Sequence, residues 1–235
     1  MENSEIIRIV RLTKRFHIGT GDFTALHNIN LTFGKGEFAG LVGPSGSGKT
    51  TLLNIIGTLD YPSEGRVEVI GHSVSELTNK QSAHLRNYNI GFIFQTYNLL
   101  PVYTVFENVE FALLLQHRTS AERKRAVMEA LDWVGLTDKH NSKPSQLSGG
   151  ECQRVAIARA MVKRPILVLA DEPSANLDAK NSHNIVQTMK KLNKELNTTF
   201  IFATHDEKVM HYLDRIITLK DGVVDTDKLI LTGEN

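Results

Sequence analysis

The chain is poor in sulfur, balanced in charge and short of apolar runs, and each shortage removes a class of protein from consideration. Among 235 residues there is one cysteine, Cys152, which excludes an internal disulfide and makes a reducing cytoplasm the expected setting. Lys and Arg number 27 against 26 Asp and Glu, a net charge of +1. Such a balance exerts no global pull on a polyanion or an anionic lipid surface, so no nucleic-acid partner is expected and any partner must be recognised locally. Apolar stretches such as 112–115 and 166–170 fall far short of the roughly 20 residues needed to cross a bilayer. The chain is therefore expected not to span a membrane. The opening Met1-Glu2-Asn3-Ser4-Glu5 is acidic and lacks the basic-then-apolar order of a secretory leader. No low-complexity tract, repeat period or Pro/Gly/Ser linker interrupts the sequence, so 1–235 reads as one globular unit. Its 41% hydrophobic residues can fill a core.

What the chain does contain is a phosphate-binding loop pattern, Gly43-Pro44-Ser45-Gly46-Ser47-Gly48-Lys49-Thr50, with Thr51 counted in the same set. An apolar strand over 38–42 precedes it and a helix-like run over 50–59 follows. Glycines allow the backbone N–H groups to turn inward around phosphate without a Cβ in the way, and the following helix adds its positive end. Lys49 supplies a mobile charge for the β and γ phosphates. The Thr50 hydroxyl suits Mg²⁺, a hard cation that takes oxygen ligands.

Further on, 166–170 and 199–203 are short, nearly continuous apolar runs separated by a polar, helix-like segment over 182–197. Uninterrupted apolarity is what a parallel strand buried on both faces requires. Asp171 and Glu172 close the first run. A strand end delivers carboxylates to the edge of the sheet where the phosphate loop opens, and two unpaired acids after four aliphatics would be costly in a purely structural role. Asp171 is expected to hold Mg²⁺ and Glu172 to orient and activate an attacking water.

Strand-like runs over 6–10, 29–33 and 67–70, punctuated by glycines, suggest an antiparallel β layer. From about Leu85 to Arg164 the pattern turns helical, with Val127, Ala130, Leu131 and Val134 at three- and four-residue spacing. A hairpin through Asp221-Gly222 is expected to close the fold. The fold class is α/β: a P-loop core with a mainly parallel sheet, an antiparallel β layer and an inserted helical subdomain. The expected division is 1–84 and 165–235 for the core with its β layer, and 85–164 for the helical subdomain.

Leu147-Ser148-Gly149-Gly150-Glu151, one helix's length before the acidic strand end, completes a set of motifs that resembles the nucleotide-binding subunits of ATP-binding cassette transporters. The resemblance runs from about Ile6 to Val224. It implies ATP and Mg²⁺ as ligands and a homodimer of ATPase subunits, head to tail around two ATPs. Ser148, Gly149 and Gly150 would then contact the γ phosphate held by the opposite subunit, as residues preceding a helix can do for an anion. By the same resemblance Gln95 matches the glutamine that senses Mg²⁺ and the attacking water, His205 the switch histidine at the γ phosphate, Asp178 the aspartate at the dimer seam, and Phe16 the aromatic residue that stacks on adenine. Two departures stand near the implied seam: Ser174-Ala175 replaces a more frequent Thr-Gly or Ser-Gly, and Cys152 a longer polar residue. These put the strength of dimerisation in doubt.

Asn98-Leu99-Leu100-Pro101 followed by Thr104-Val105-Phe106-Glu107-Asn108-Val109, with Ala170-Asp171-Glu172-Pro173, resembles the lipoprotein-release and macrolide-export branch. That branch passes ATP-driven closure to a membrane permease, which implies a peripheral location on the cytoplasmic face of the inner membrane. The groove near Gln95 and the apolar segment 99–103, bounded by Leu99 and Tyr103, is the expected seat of that permease. A DNA-repair or chromosome-structure ATPase is the competing reading; such heads carry a long heptad-rich insertion, and none is present here.

Overall fold

The strands β1 (Glu5–Ile18) and β2 (Gly21–Gly34) pair antiparallel. Alternate residues Ile29, Leu31 and Phe33 point inward while Asn28, Asn30 and Thr32 face solvent, the period-2 pattern of a half-buried sheet. A computed structural model describes residues 4–19 and 21–230. After β3 (Phe38–Val42) and α1 (Lys49–Ile56), β4 (Glu64–Val69) and the short β5 (His72–Ser73) complete an antiparallel sheet of order β2-β1-β4-β5. This is the β layer expected from sequence, with longer strands.

The remaining elements are α2 (Asn79–Asn89), β6 (Ile90–Ile93), α3 (Val105–Glu110), α4 (Ser120–Trp133), α5 (Gly149–Met161), β7 (Leu167–Asp171), α6 (Ala179–Leu196), β8 (Thr199–Thr204), α7 (Glu207–Met210), β9 (Arg215–Lys220) and β10 (Val223–Leu229). The second sheet has the order β10-β9-β3-β8-β7-β6. It is parallel from β9 to β6, and β10 closes it through the antiparallel hairpin at Asp221-Gly222.

The central strands β3 and β8 are buried throughout, because both sheet faces are covered. On one face Leu41, Leu167, Leu169 and Ile201 meet α1 and the β layer. On the other, Phe38, Val168, Phe200 and Phe202 meet the helices that follow. Fully burying side chains of this size contributes about 1.5–3 kcal/mol each.

The expected boundary at residue 85 falls inside a helix, and the stretch 85–164 contains one strand of the parallel sheet. Helix α2 begins at Asn79, and Ile90–Ile93 is a strand that pairs with β7 as an edge of the parallel sheet. Four residues containing a glycine, set behind a polar helix, carry no strand pattern of their own; the pairing with β7 makes the strand. Gly91 has a packing reason to be there, since a Cβ would lie 2.8 Å from the Ala160 carbonyl oxygen of α5.

Candidate active site

A parallel sheet gathers the loops that leave its carboxyl edge, and here the spatial order β3-β8-β7-β6 brings four of them side by side. The glycine-rich loop follows β3, His205 follows β8, Asp171 and Glu172 end β7, and Gln95 comes two residues after β6. A cleft of about 440 Å³ is lined by Phe16, Ser45, Gly46, Gly48, Lys49, Thr50, Thr51, Gln95, Asp171, Glu172 and His205 together with Phe23 and Ala25.

The loop geometry requires glycine. Gly43 has φ +145°, and a Cβ there would sit 2.1 Å from the Leu219 carbonyl oxygen; Gly48 has φ +100°, with Leu26 and the Ala25 carbonyl within 2.7 Å of the same point. Ser47 is buried, and its hydroxyl has no partner among the described residues. Lys49 is buried at the start of α1 and donates to the carbonyl oxygens of Gly43 and Pro44 at 2.8 and 2.9 Å. Lys49 and the glycine-rich start of α1 thus line the cleft together, an ammonium beside the N–H groups of a helix start, the donor set that fits a polyphosphate.

Thr50 donates its hydroxyl hydrogen to Asp171 Oδ1 at 3.2 Å. Burial pushes the Asp171 carboxyl above its ordinary value, aided by the neighbouring Glu172 and opposed by Thr50 and Lys49. Two hard oxygen donors beside a phosphate cradle, one of them a half-buried carboxylate short of positive charge, fit a divalent cation of the Mg²⁺ type. Glu172 sits at φ +46°, a conformation uncommon for a side chain of its size. It is over-determined by β8: its N–H donates to the Ala203 carbonyl at 2.9 Å, and its carboxylate accepts from the Thr204 hydroxyl at 3.3 Å.

Ser148, Gly149, Gly150 and Asp178 do not line this cleft; they form a second cluster. Ser148 caps α5 in a reciprocal box with Glu151, whose carboxylate accepts from the Ser148 N–H and hydroxyl at 2.8 and 2.9 Å. Those bonds hold the Glu151 carboxyl below its ordinary value. Asp178 caps α6 by accepting from the Asn181 N–H and side-chain amide, each at 2.8 Å. Asn181 in turn lies against Gly150, where a Cβ would be 2.8 Å from its Oδ1.

The two clusters are tied through backbone. Asn176 donates to the Gln95 carbonyl at 2.9 Å. Arg159 of α5 donates to the carbonyls of Tyr97 and Asn98 at 2.6 Å each, and both of those residues have φ near +50°. Arg159 and Phe23 were not among the residues singled out from sequence. A guanidinium between Ala158 and Ala160 on an otherwise apolar helix stretch was the available sign of the first; the second had none. Of the two departures, Ser174 is buried and donates to Asp206 at 3.3 Å, and Cys152 is buried with its thiol 3.7 Å from the Pro144 carbonyl.

The sequence profile of the family described as ABC transporter matches residues 26–175. The ABC transporter ATP-binding protein MJ0796 of Methanocaldococcus jannaschii is 43% identical over 227 residues, 95% of this chain and 97% of that protein. Its solved structures include a dimer, at TM-score 0.89 over 97% of this chain and 100% of that one, and a dimeric post-hydrolysis state bound to ADP and Pi. The lipoprotein-releasing system ATP-binding protein LolD of Bacteroides thetaiotaomicron is 43% identical over 222 residues, covering 94% of this chain and all of that protein. The macrolide export ATP-binding/permease protein MacB of Chlorobaculum tepidum is 42% identical over 223 residues, 95% of this chain but 34% of that longer protein.

Proposed function

The chain belongs to the ABC transporter family, as an ATP-hydrolysing subunit of the lipoprotein-release and macrolide-export type, and from that premise we propose how its residues divide the work. The β and γ phosphates of ATP are held by the loop from Gly43 through Pro44, Ser45, Gly46, Ser47 and Gly48, by Lys49, and by the hydroxyls of Thr50 and Thr51. Phe16 packs on the adenine. Thr50, Asp171 and Gln95 are the oxygen donors for Mg²⁺, which when bound supplies positive charge to the phosphates. Glu172 accepts the proton of the attacking water, and His205 and Gln95 orient it at the γ phosphate.

One observation carries the assembly. Ser148, Gly149 and Gly150, at the N-terminus of α5, and Asp178 do not line their own chain's cleft, so in this proposal the site is complete only when a second copy supplies them. A head-to-tail homodimer around two ATPs answers that requirement, and MJ0796 has been solved as a dimer. Relatives of this chain are transporter subunits, and nothing among them supports the DNA-repair reading.

The permease engages the face near Gln95 and the segment from Leu99 to Tyr103 in this proposal. Val102 is 71% exposed there, on a loop clasped to α3 by Asn108, which bonds the Leu100 backbone and the Tyr103 carbonyl. The exposed Phe111, Leu114 and Leu115 follow directly. The core and β layer bind nucleotide while the helical part, 85–164, presents Ser148 and the permease face. No helix among the described residues is long and apolar enough to cross a membrane, and a peripheral place on the cytoplasmic face of the inner membrane follows from a permease partner.

The test is the solution mass of Glu172→Gln. Adding Mg-free ATP should convert a species of 26.2 kDa to one twice as heavy. A mass that stays at the lower value with ATP bound would sink the two-copy site.

A further inference from the structure

Phe16 and Phe23 are directly opposite each other in the antiparallel pairing of β1 with β2, so their side chains leave the ribbon on the same face. Both line the cleft that contains Lys49 and Thr50. Both are uncovered, Phe16 at 36% and Phe23 at 54% exposure. Phe16 is also braced. The Lys14 ammonium lies 4.8 Å from its ring centre, and Lys14 is itself fixed by Asp60 at 2.6 Å and by the Tyr61 carbonyl at 2.9 Å. One face of the Phe16 ring is thereby taken by a cation, and the more open ring beside it is Phe23.

We infer that Phe23 is a second base-contact residue: with Phe16 it forms a two-ring shelf against which the nucleobase packs. The inference rests on the nucleotide reading above and extends it to a residue that the family resemblance did not mark. The chemistry is that of the cleft itself. Its polar groups Lys49, Asp171, Glu172 and His205 suit a polyphosphate with its cation and attacking water, whereas Phe16, Phe23 and Ala25 offer apolar surface. A nucleotide is the ligand with that same division, an aromatic ring at one end and charge at the other. An aromatic ring that meets a base gains by stacking or edge contact, whichever base it is.

The experiment uses the full chain and two probes in calorimetric titration, ATP and inorganic tripolyphosphate, the second lacking a base. Phe23→Ala should weaken ATP binding about tenfold, the size of one lost base-to-ring contact, and leave tripolyphosphate binding unchanged. Phe23→Trp, which keeps a ring, should retain the wild-type affinity for ATP. Unchanged ATP affinity in Phe23→Ala would overturn the inference, and so would an equal loss for both probes, which would locate the effect in the fold or the phosphate loop. Failure of the wild-type chain to bind either probe would instead strike the nucleotide site as a whole.

Discussion

His205 Nδ1 lies 2.6 Å from Glu172 Oε1. The two side chains come from the ends of neighbouring parallel strands, β8 and β7, whose register sets Asp171 opposite Ala203. The carboxylate is thus aimed into the cleft with one oxygen on the imidazole and the other on the Thr204 hydroxyl. A carboxylate so held is pre-positioned for proton abstraction, and the backbone conformation of Glu172 at φ +46° is of the kind that persists where surrounding structure imposes it.

From that pairing, Glu172→Gln should lower kcat by roughly 10²–10⁴-fold, the range for loss of a positioned general base, with ATP affinity kept. His205→Ala should also lower kcat, by a smaller factor, because the base is retained but one of its two holds is lost. Phosphate release under saturating ATP separates the two. A Glu172→Gln chain that turns over at the wild-type rate would remove Glu172 from the chemistry.

Gly150→Ala should impair dimer formation more than it impairs folding. The added Cβ would lie 2.8 Å from Asn181 Oδ1 and 3.0 Å from its Cγ, so Asn181 must move. That side chain is held by Asp178, and its displacement disturbs the α6 cap at the proposed seam. Loss of an N-cap interaction costs about 1 kcal/mol. Light scattering with ATP, in a Glu172→Gln background, should show a weaker dimer, and Asn181→Ala added to Gly150→Ala should restore part of it. A dimer of full strength in the single variant would place Gly150 away from the interface.

Much of this arrangement was legible in the sequence, and the parts that were not have a common cause. The strands β7 and β8 announce themselves because burial on both faces demands continuous apolar runs, and Asp171 and Glu172 are then placed by a strand end, whereas His205 is marked by the family resemblance. The glycine loop is readable because few backbones other than glycine turn as Gly43 and Gly48 do. By contrast, Ile90–Ile93 became a strand only through pairing with β7, and Phe23 joined the cleft only through its register with Phe16. Arg159 is recruited by the carbonyls of Tyr97 and Asn98, some sixty residues earlier in the chain. Each depends on a partner distant in sequence, which local pattern does not encode.

Asp171→Asn should stabilise the nucleotide- and metal-free chain while abolishing its response to Mg²⁺. Burial raises the Asp171 carboxyl above its ordinary value, so the folded state binds this proton more tightly than the unfolded one. The group's contribution to stability is therefore full below the ordinary carboxylate range and is lost as pH rises through the raised value. At neutral pH the charged form is a standing penalty, and an amide removes it while still accepting from Thr50. The gain appears as a higher melting temperature. Thermal unfolding in chelator at neutral and acidic pH should show the gain at the first and not at the second. A variant no more stable than wild type at neutral pH would contradict the account.

Lys163 offers the opposite sign. Its ammonium, just beyond the end of α5, donates to the Arg86 carbonyl at 2.6 Å, and Arg86 donates to the carbonyl and hydroxyl of Thr58 beyond the end of α1. Burial, with the Arg86 charge adding to it, lowers Lys163 to about 8. The folded chain thus binds less proton than the unfolded one between about 8 and the ordinary lysine range. Stability should rise with pH across that window, because the penalty of a buried charge is full below it and relieved above. Other groups titrate as well, so the measurement is a difference: urea unfolding of wild type and Lys163→Met at pH 7 and 9.5. Loss of the hydrogen bond to Arg86 shifts the variant by a constant amount, whereas the wild type should gain on the order of 1 kcal/mol relative to it on going to the higher pH. A difference that does not change with pH would mean that Lys163 keeps its charge in the fold and that the junction between α2 and α5 is held by an ordinary ammonium.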